Sequence, residues 1–336
     1  MSRRNLARFG LLIALGFLLA NVVASFHAWR FTHFTTESGL HTANPEQLSG
    51  PQKLWVLLTG IKNPKPLNHA RPPFPYQTIY LTSPNGRLES WYSAAPHARG
   101  TVALFHGYTS SKGKLLTEAA TFRRLGYSVL LTDFAGNGGS EGSVCTVGHH
   151  EAADVATVVR WLQRRPGAVL IYANSMGAVA TLRAEAELGV CPTANLLECP
   201  YGSMLETAQS RFRSMHMPSF PMANLLVFWG GLENNFWAFD LDATRYAAHI
   251  STPTLLMWGT ADPRVTRQET DAIYAALSGP KQRQDFPGSG HEPYWWKHKQ
   301  LWERTMEGFT NSISSHLSDN GFSTTTSALV HYQLQR

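Results

Sequence analysis

The chain has 336 residues, of which 43% are hydrophobic and only 15% charged. That balance excludes a disordered or low-complexity protein and supplies ample material for a core. Its net charge of +6 comes from scattered lysines and arginines, with no run longer than the pairs Arg3-Arg4, Arg123-Arg124 and Arg164-Arg165, so nothing indicates a nucleic-acid patch, and mild attraction to an anionic membrane surface fits at least as well.

Three cysteines, Cys145, Cys191 and Cys199, are too few for a disulfide-built secreted scaffold and lack metal-ligand spacing. Cys191 and Cys199 fall before and at the end of one expected strand. Five extended residues span about 16 Å, whereas a bridge needs Cα atoms within about 7 Å, so no bond between them is expected.

Residues 9–26 read FGLLIALGFLLANVVASF, eighteen positions without a charge. As a helix they cover about 27 Å, close to the roughly 30 Å of a bilayer's hydrocarbon. Arg3, Arg4 and Arg8 precede the run and Arg30 follows it, which keeps the N-terminus in the cytoplasm and sends the rest of the chain across. Residues 1–26 are therefore expected to be an uncleaved single-pass anchor lying outside the fold that follows. The alternative is a signal peptide cleaved at a weak site near Ala24, giving a secreted or periplasmic protein; the lack of a clean Ala-x-Ala and the length of the run weigh against it.

Residues 27–77 form a membrane-proximal preamble, with a short helix expected within 45–59 and a proline-punctuated extended stretch over 61–75. Regular alternation begins at Thr78. Residues 78–81 and 88–92 flank Pro84-Asn85-Gly86, a hairpin signal. Short apolar runs follow at 101–106, 127–134, 168–173, 195–199 and 254–258, each leading into a helical stretch. Strands this apolar are buried on both faces, which predicts a mainly parallel sheet covered by helices. Residues 150–165 carry Val155, Val158, Val159 and Leu162 on one stripe, and residues 294–313 carry Trp302, Met306, Phe309 and Ile313, the spacing of helices packed on a sheet.

Residues 201–250 interrupt the alternation with nine aromatics, Phe236 and Trp237 among them. The segment reads equally as an extra helical layer or as a cap whose inner face lines an apolar pocket. Residues 316–336 read as a polar tail.

The sharpest chemical signal is Ala173-Asn174-Ser175-Met176-Gly177, directly after an apolar strand and before a helix. A serine on so tight a turn needs small neighbours two residues to either side, as in Gly-x-Ser-x-Gly, and Ala173 replaces only the first glycine. The helix start behind Ser175 offers free N–H groups to a developing oxyanion. A serine nucleophile also needs a base and an orienting acid. Asp262 follows the strand 254–258, and His291 sits in the glycine loop Gly288-Ser289-Gly290-His291. Asp240, Asp242 and Asp285 are rival acids, two of them in the insertion and one inside a strand. The second oxyanion donor is expected from His106-Gly107-Tyr108, through the N–H of Tyr108 beside that of Met176; the Tyr108 phenol is the alternative. His106 reads as a structural support of that loop. The Gly136-x-Gly138 turn lacks the last glycine of a dinucleotide fingerprint, and Gly107 to Lys114 is not a P-loop.

With these residues in hand, the chain resembles the α/β-hydrolase superfamily over about 240 residues, from 78 to 315. The stretch Asp133-x-x-Gly136-x-Gly138-x-Ser140-x-Gly142, His106-Gly107 and Met176 after the serine look like the branch of monoacylglycerol-lipase-like esterases and prolyl-oligopeptidase-like serine peptidases, some of which carry one N-terminal membrane segment. The resemblance implies an eight-stranded, mostly parallel sheet with helices on both faces and a helical cap, and a Ser-His-Asp mechanism without cofactor or metal. It departs from the family at Ala173 and Asn174. The expected activity is hydrolysis of small-molecule or lipid-like carboxylic esters by Ser175, His291 and Asp262, with Tyr108 and Met176 as oxyanion donors and Phe236 and Trp237 as pocket wall. A peptidase, a thioesterase or acyltransferase, and a non-catalytic scaffold are the other readings.

Overall fold

A computed structural model describes residues 3–35, 41–43 and 48–319. Two helices open the chain, α1 (Arg3–Thr32) and α2 (Gly50–Thr59). The hairpin β1 (Gln77–Ser83) and β2 (Gly86–Ser93) follows, starting one residue before the expected boundary at 78. Then come β3 (Gly100–Phe105), α3 (Leu116–Arg124), β4 (Ser128–Thr132), α4 (Glu151–Gln163), β5 (Ala168–Asn174), α5 (Met176–Leu188) and β6 (Ala194–Glu198). The insertion holds α6 (Met204–Ser214), α7 (Met222–Glu233) and α8 (Ala243–Ala247). The chain closes with β7 (Thr254–Gly259), α9 (Arg267–Ala276), β8 (Lys281–Phe286) and α10 (Trp295–Asp319).

The strands form one eight-stranded sheet in the order β1-β2-β4-β3-β5-β6-β7-β8. Only the β1–β2 and β2–β4 pairs are antiparallel; the pairs from β4–β3 to β7–β8 are parallel. The reason lies in the strand sequences. All residues of β4, β6 and β7 are buried, as strands covered on both faces must be. At the edge, β8 reads KQRQDF and is mostly half-exposed, charges being one way to protect an open edge. The expected stripes pack inward: Val155, Val158, Val159 and Leu162 of α4, and Trp302, Met306, Phe309 and Ile313 of α10, all belong to one core.

Strand order reverses at β3, which pairs with β4 on one side and β5 on the other. The loops leaving the carboxyl ends of β3 and β5 diverge there, at the usual ligand position in an open α/β sheet. Gly107-Tyr108 follows β3 and Ser175 follows β5.

Three expectations about the chain's organisation need correction. The outer part of α1 does not lie outside the fold: Ala24, Ala28 and Thr32 are buried, and the helix packs along α7. The preamble is woven into the sheet domain, since His33 bridges Val144 and Lys65 donates to the carbonyls of Ser140 and Gly142. Finally, α10 runs to Asp319, past the expected tail boundary at 316; residues 320–336 lie outside the described residues.

Candidate active site

Ser175 stands between the last residue of β5 and the first of α5 with φ 49° and ψ −115°. A non-glycine residue rarely adopts a positive φ, and here the neighbours enforce it. The N–H of Ser175 donates to the Glu198 carbonyl of β6 at 2.8 Å, and α5 starts immediately behind. A Cβ on Gly177 would lie 2.8 Å from the His106 carbonyl and 2.9 Å from that of Phe105, so only glycine lets α5 approach β3 this closely. At the first small position, Ala173 is fully buried and accommodated, so the departure from glycine leaves the turn intact.

The Ser175 hydroxyl donates to His291 Nε2 at 3.0 Å, and His291 Nδ1 lies 2.8 Å from Asp262 Oδ2. The other oxygen of Asp262 accepts the N–H groups of Arg264 and Val265 at 2.8 and 3.0 Å, which fixes the carboxylate and hence the ring. Close crossing of two loops brings acid and base together: a Cβ on Gly259 would meet the Ser289 carbonyl at 2.5 Å. In this arrangement the imidazole can take the serine proton while the carboxylate holds its other nitrogen.

The rival acids are engaged elsewhere. Asp242 caps α8, accepting the N–H groups of Thr244 and Arg245. Asp285 pairs with Arg283, and Asp240 lies beside Arg245. Cys199, beneath the pair, offers its sulfur within 4.8 Å of the donor atoms of Asp262 and His291. Burial pushes its thiol well above the usual range; such a thiol is a poor metal ligand, because thiolate is the binding form.

The loop after β3 supplies the facing groups. His106 is fully buried; its Nε2 accepts the Phe134 N–H and its Nδ1 lies 2.8 Å from the Gly107 carbonyl. Desolvation lowers its pKa, so the ring is neutral and donates to Gly107, fixing the turn that precedes Tyr108. The phenol of Tyr108 does not point at the nucleophile. It donates to the Phe31 carbonyl of α1 at 2.6 Å and accepts from the Asn63 amide at 2.9 Å, which leaves the backbone N–H as that residue's candidate donor. Among the described residues, neither Tyr108 N–H nor Met176 N–H meets a protein acceptor.

A family model described as serine aminopeptidase, S33, matches residues 96–197. The uncharacterized protein YqkD of Bacillus subtilis is 26% identical over 229 residues, covering 66% of this chain and 75% of the relative. Lysophosphatidylserine lipase ABHD12 of Danio rerio is 29% identical over 195 residues, covering 55% and 49%. Among solved structures, the Pyrococcus furiosus esterase Pf2001 aligns with a TM-score of 0.59 at 20% identity, over 74% of this chain and 98% of that one. Est1E of Butyrivibrio proteoclasticus, with ferulic acid bound, gives 0.56 at 16% identity, over 70% and 99%. The chain has the α/β-hydrolase fold.

Two features around the site carry no local sequence signal. Lys112 is fully buried, with its ammonium between Asp133 and Glu89 and over the Trp91 ring. Asp133 also accepts from Asn68 and from the Gly139 N–H. Burial raises the Asp133 pKa, but the Lys112 ammonium and the hydrogen bond from the Lys112 N–H outweigh that and hold it below the usual range. The glycine turn at 136–142 thus encloses a carboxylate that ties the β3 and β4 loops and the preamble together. The second feature is the pair Phe31 and Asn63, which reaches Tyr108 from far away in sequence.

The cap residues expected as a pocket wall are not in the triad's immediate shell. Phe236 stacks on His149 at 4.0 Å, and Trp237 is exposed. With Phe228, Leu232 and Asn235 they line an apolar cavity of about 290 Å³. Neither makes a hydrogen bond or ring contact with Ser175 or His291 among the described residues. The link is indirect: His149 follows Gly148, where an added Cβ would lie 3.5 Å from the Met176 carbonyl.

Proposed function

We propose that this protein is a serine hydrolase that cleaves carboxylic esters through an acyl-enzyme and is tethered to a membrane by α1. The observation that carries the reading is the hydrogen-bonded chain Ser175–His291–Asp262 hung on a strained turn at the strand-order reversal. Ser175 Oγ attacks the ester carbonyl and passes its proton to His291 Nε2. The N–H groups of Tyr108 and Met176 receive the oxyanion, and Asp262 holds the imidazolium. The leaving alkoxide takes the proton from His291. Water, deprotonated by His291, then attacks the acyl carbon, releasing the acid and restoring Ser175.

The relatives whose names state a substrate or activity, a lysophosphatidylserine lipase and an esterase, support a small-molecule or lipid-like ester. An aminopeptidase would need a carboxylate at the site for the substrate's ammonium; Glu233, the cap acid suited to it, instead accepts from Ser25 of α1 at 2.7 Å. Retention of α1 as an anchor is supported by its length and apolar surface and by the bond from Tyr108 to its last turn. Its flanking arginines favour a non-cytoplasmic catalytic domain.

A panel of p-nitrophenyl esters of graded chain length, run beside aminoacyl anilides, tests the substrate class. Ester turnover with inert anilides is expected; anilide turnover at comparable kcat/KM would overturn the ester reading.

A further inference from the structure

The outer end of α1 is not alone in being apolar. Helix α2 reads GPQKLWVLLT and buries no residue. Its Leu54, Trp55, Leu57 and Leu58 are exposed by 59, 66, 46 and 68%, although a soluble surface rarely groups four large apolar side chains on ten residues. This helix is held against α1 where the uncharged run ends. His27 Nε2 lies 3.0 Å from the Leu57 carbonyl, Arg30 reaches the Thr59 carbonyl, and a Cβ on Gly60 would come within 2.9 Å of the Phe26 ring.

The cap meets the same end of α1. Trp229 of α7 donates to Asn21 at 3.1 Å and Ser25 donates to Glu233 at 2.7 Å, and both α1 residues lie inside the uncharged run 9–26. Helix α7 has a single charged residue, Glu233. It buries Ala223, Val227 and Gly231 and leaves Leu232 55% exposed. Two separate elements therefore present unpartnered apolar side chains at one level, the level at which the anchor must leave the hydrocarbon. Phe31, whose carbonyl holds Tyr108, follows Phe26 by five residues, about 7.5 Å along the helix axis.

We infer that α2, the outer turns of α1 and α7 form one face seated in the headgroup and upper acyl region of a phospholipid bilayer, with the approach to Ser175 beside it. The inference rests on α1 being an uncleaved anchor, and continuity with that span selects lipid rather than a second protein as the occupant. Short apolar helices lie in this layer, with the polar side toward water. A lipid-like ester then reaches Ser175 laterally from the bilayer.

Nitroxide labels on the full chain in phosphatidylcholine vesicles test this by comparing collisions with oxygen, which partitions into lipid, and with a water-soluble nickel chelate. Cys145 and Cys199 are buried and Cys191 is exposed. A label on native Cys191, before β6 and at the opposite end of the strands from Ser175, therefore reports the water-facing side. Leu15→Cys, Leu58→Cys and Leu232→Cys are each made with Cys191→Ser. All three replace side chains more than half exposed, and positions 58 and 232 sit on separate elements. The oxygen-to-chelate ratio is expected to be several-fold higher at 15, 58 and 232 than at 191. If 15 is lipid-exposed while 58 and 232 both match 191, the anchor stands and the docking face is wrong. If 15 also matches 191, the anchor itself fails and the docking face with it.

Discussion

Tyr108→Phe removes one oxygen from the loop that faces Ser175 and leaves the ring in place. That oxygen donates to the Phe31 carbonyl at 2.6 Å and accepts from Asn63 at 2.9 Å. Asn63 is 2% exposed and keeps only weaker bonds, at 3.4 Å, to the Arg30 and Phe31 carbonyls. A net loss of about 0.5–1.5 kcal/mol per bond, with a buried amide left poorly paired, gives a destabilisation of about 1–3 kcal/mol. The catalytic effect follows from the N–H on the same residue. Deleting an oxyanion donor costs about 10²–10³ in kcat, and loosening one by about 1.4 kcal/mol costs roughly tenfold. A fall of about tenfold in kcat at unchanged KM is therefore expected for p-nitrophenyl ester hydrolysis, with a lowered melting temperature. Asn63→Ala should act in the same direction, and the double variant should lose less than the two single losses combined, since both break one network. Parental kcat in both single variants would refute the argument that α1 and the preamble position the oxyanion loop.

Further outcomes follow from other parts of the molecule. Gly177→Val places carbon against two backbone carbonyls; a loss of at least about 1–3 kcal/mol with collapse of ester turnover is expected, and a normal melting curve with full activity would contradict the close helix–strand approach. Glu118 is buried, and desolvation pushes its carboxyl from 4.5 up to about 8. Across that window the folded chain holds a proton that the unfolded chain has released, so stability falls as pH rises, by up to about 1.4 kcal/mol per pH unit. Glu118→Gln should flatten the melting temperature between pH 5 and 8, with a residual slope from Glu185 and Glu198, both raised to about 7 by burial; identical slopes in parent and variant would contradict it. If the cavity beside Phe236 and Trp237 receives acyl chains, each buried methylene contributes about 0.8 kcal/mol, roughly a fourfold preference per carbon. Trp237→Ala should then flatten the chain-length profile more than it lowers acetyl-ester turnover, and coincident profiles would make the cap purely structural.

What could be read in the sequence was whatever a short stretch specifies by itself. Ser175 is legible because a strained turn between a buried strand and a helix demands small residues at fixed offsets, and Asp262 and His291 because each follows a strand end in chain order. The sheet is legible because buried strands must be apolar on both faces. The unread parts depend on contacts between distant segments. A P-loop test rejects the stretch ending at Lys114 correctly, yet says nothing of Lys112, whose partners Asp133 and Glu89 come from other strands. Composition marks α1 as apolar but cannot reveal that Ala24 and Ala28 are buried beside α7, because small apolar residues look alike whether they face lipid or protein. The hold on Tyr108 uses a backbone carbonyl, that of Phe31, and no side-chain pattern encodes it.

The central claim, that Ser175 is a nucleophile activated by His291 and Asp262, is tested most directly by a fluorophosphonate probe on the full chain. Intact mass and peptide mapping should show one stoichiometric adduct, on Ser175. It should be absent in Ser175→Ala and slowed by orders of magnitude in His291→Ala, since turnover with triad members removed typically falls by about 10⁴–10⁶. An adduct on another residue, or ester turnover that survives Ser175→Ala, would contradict the account.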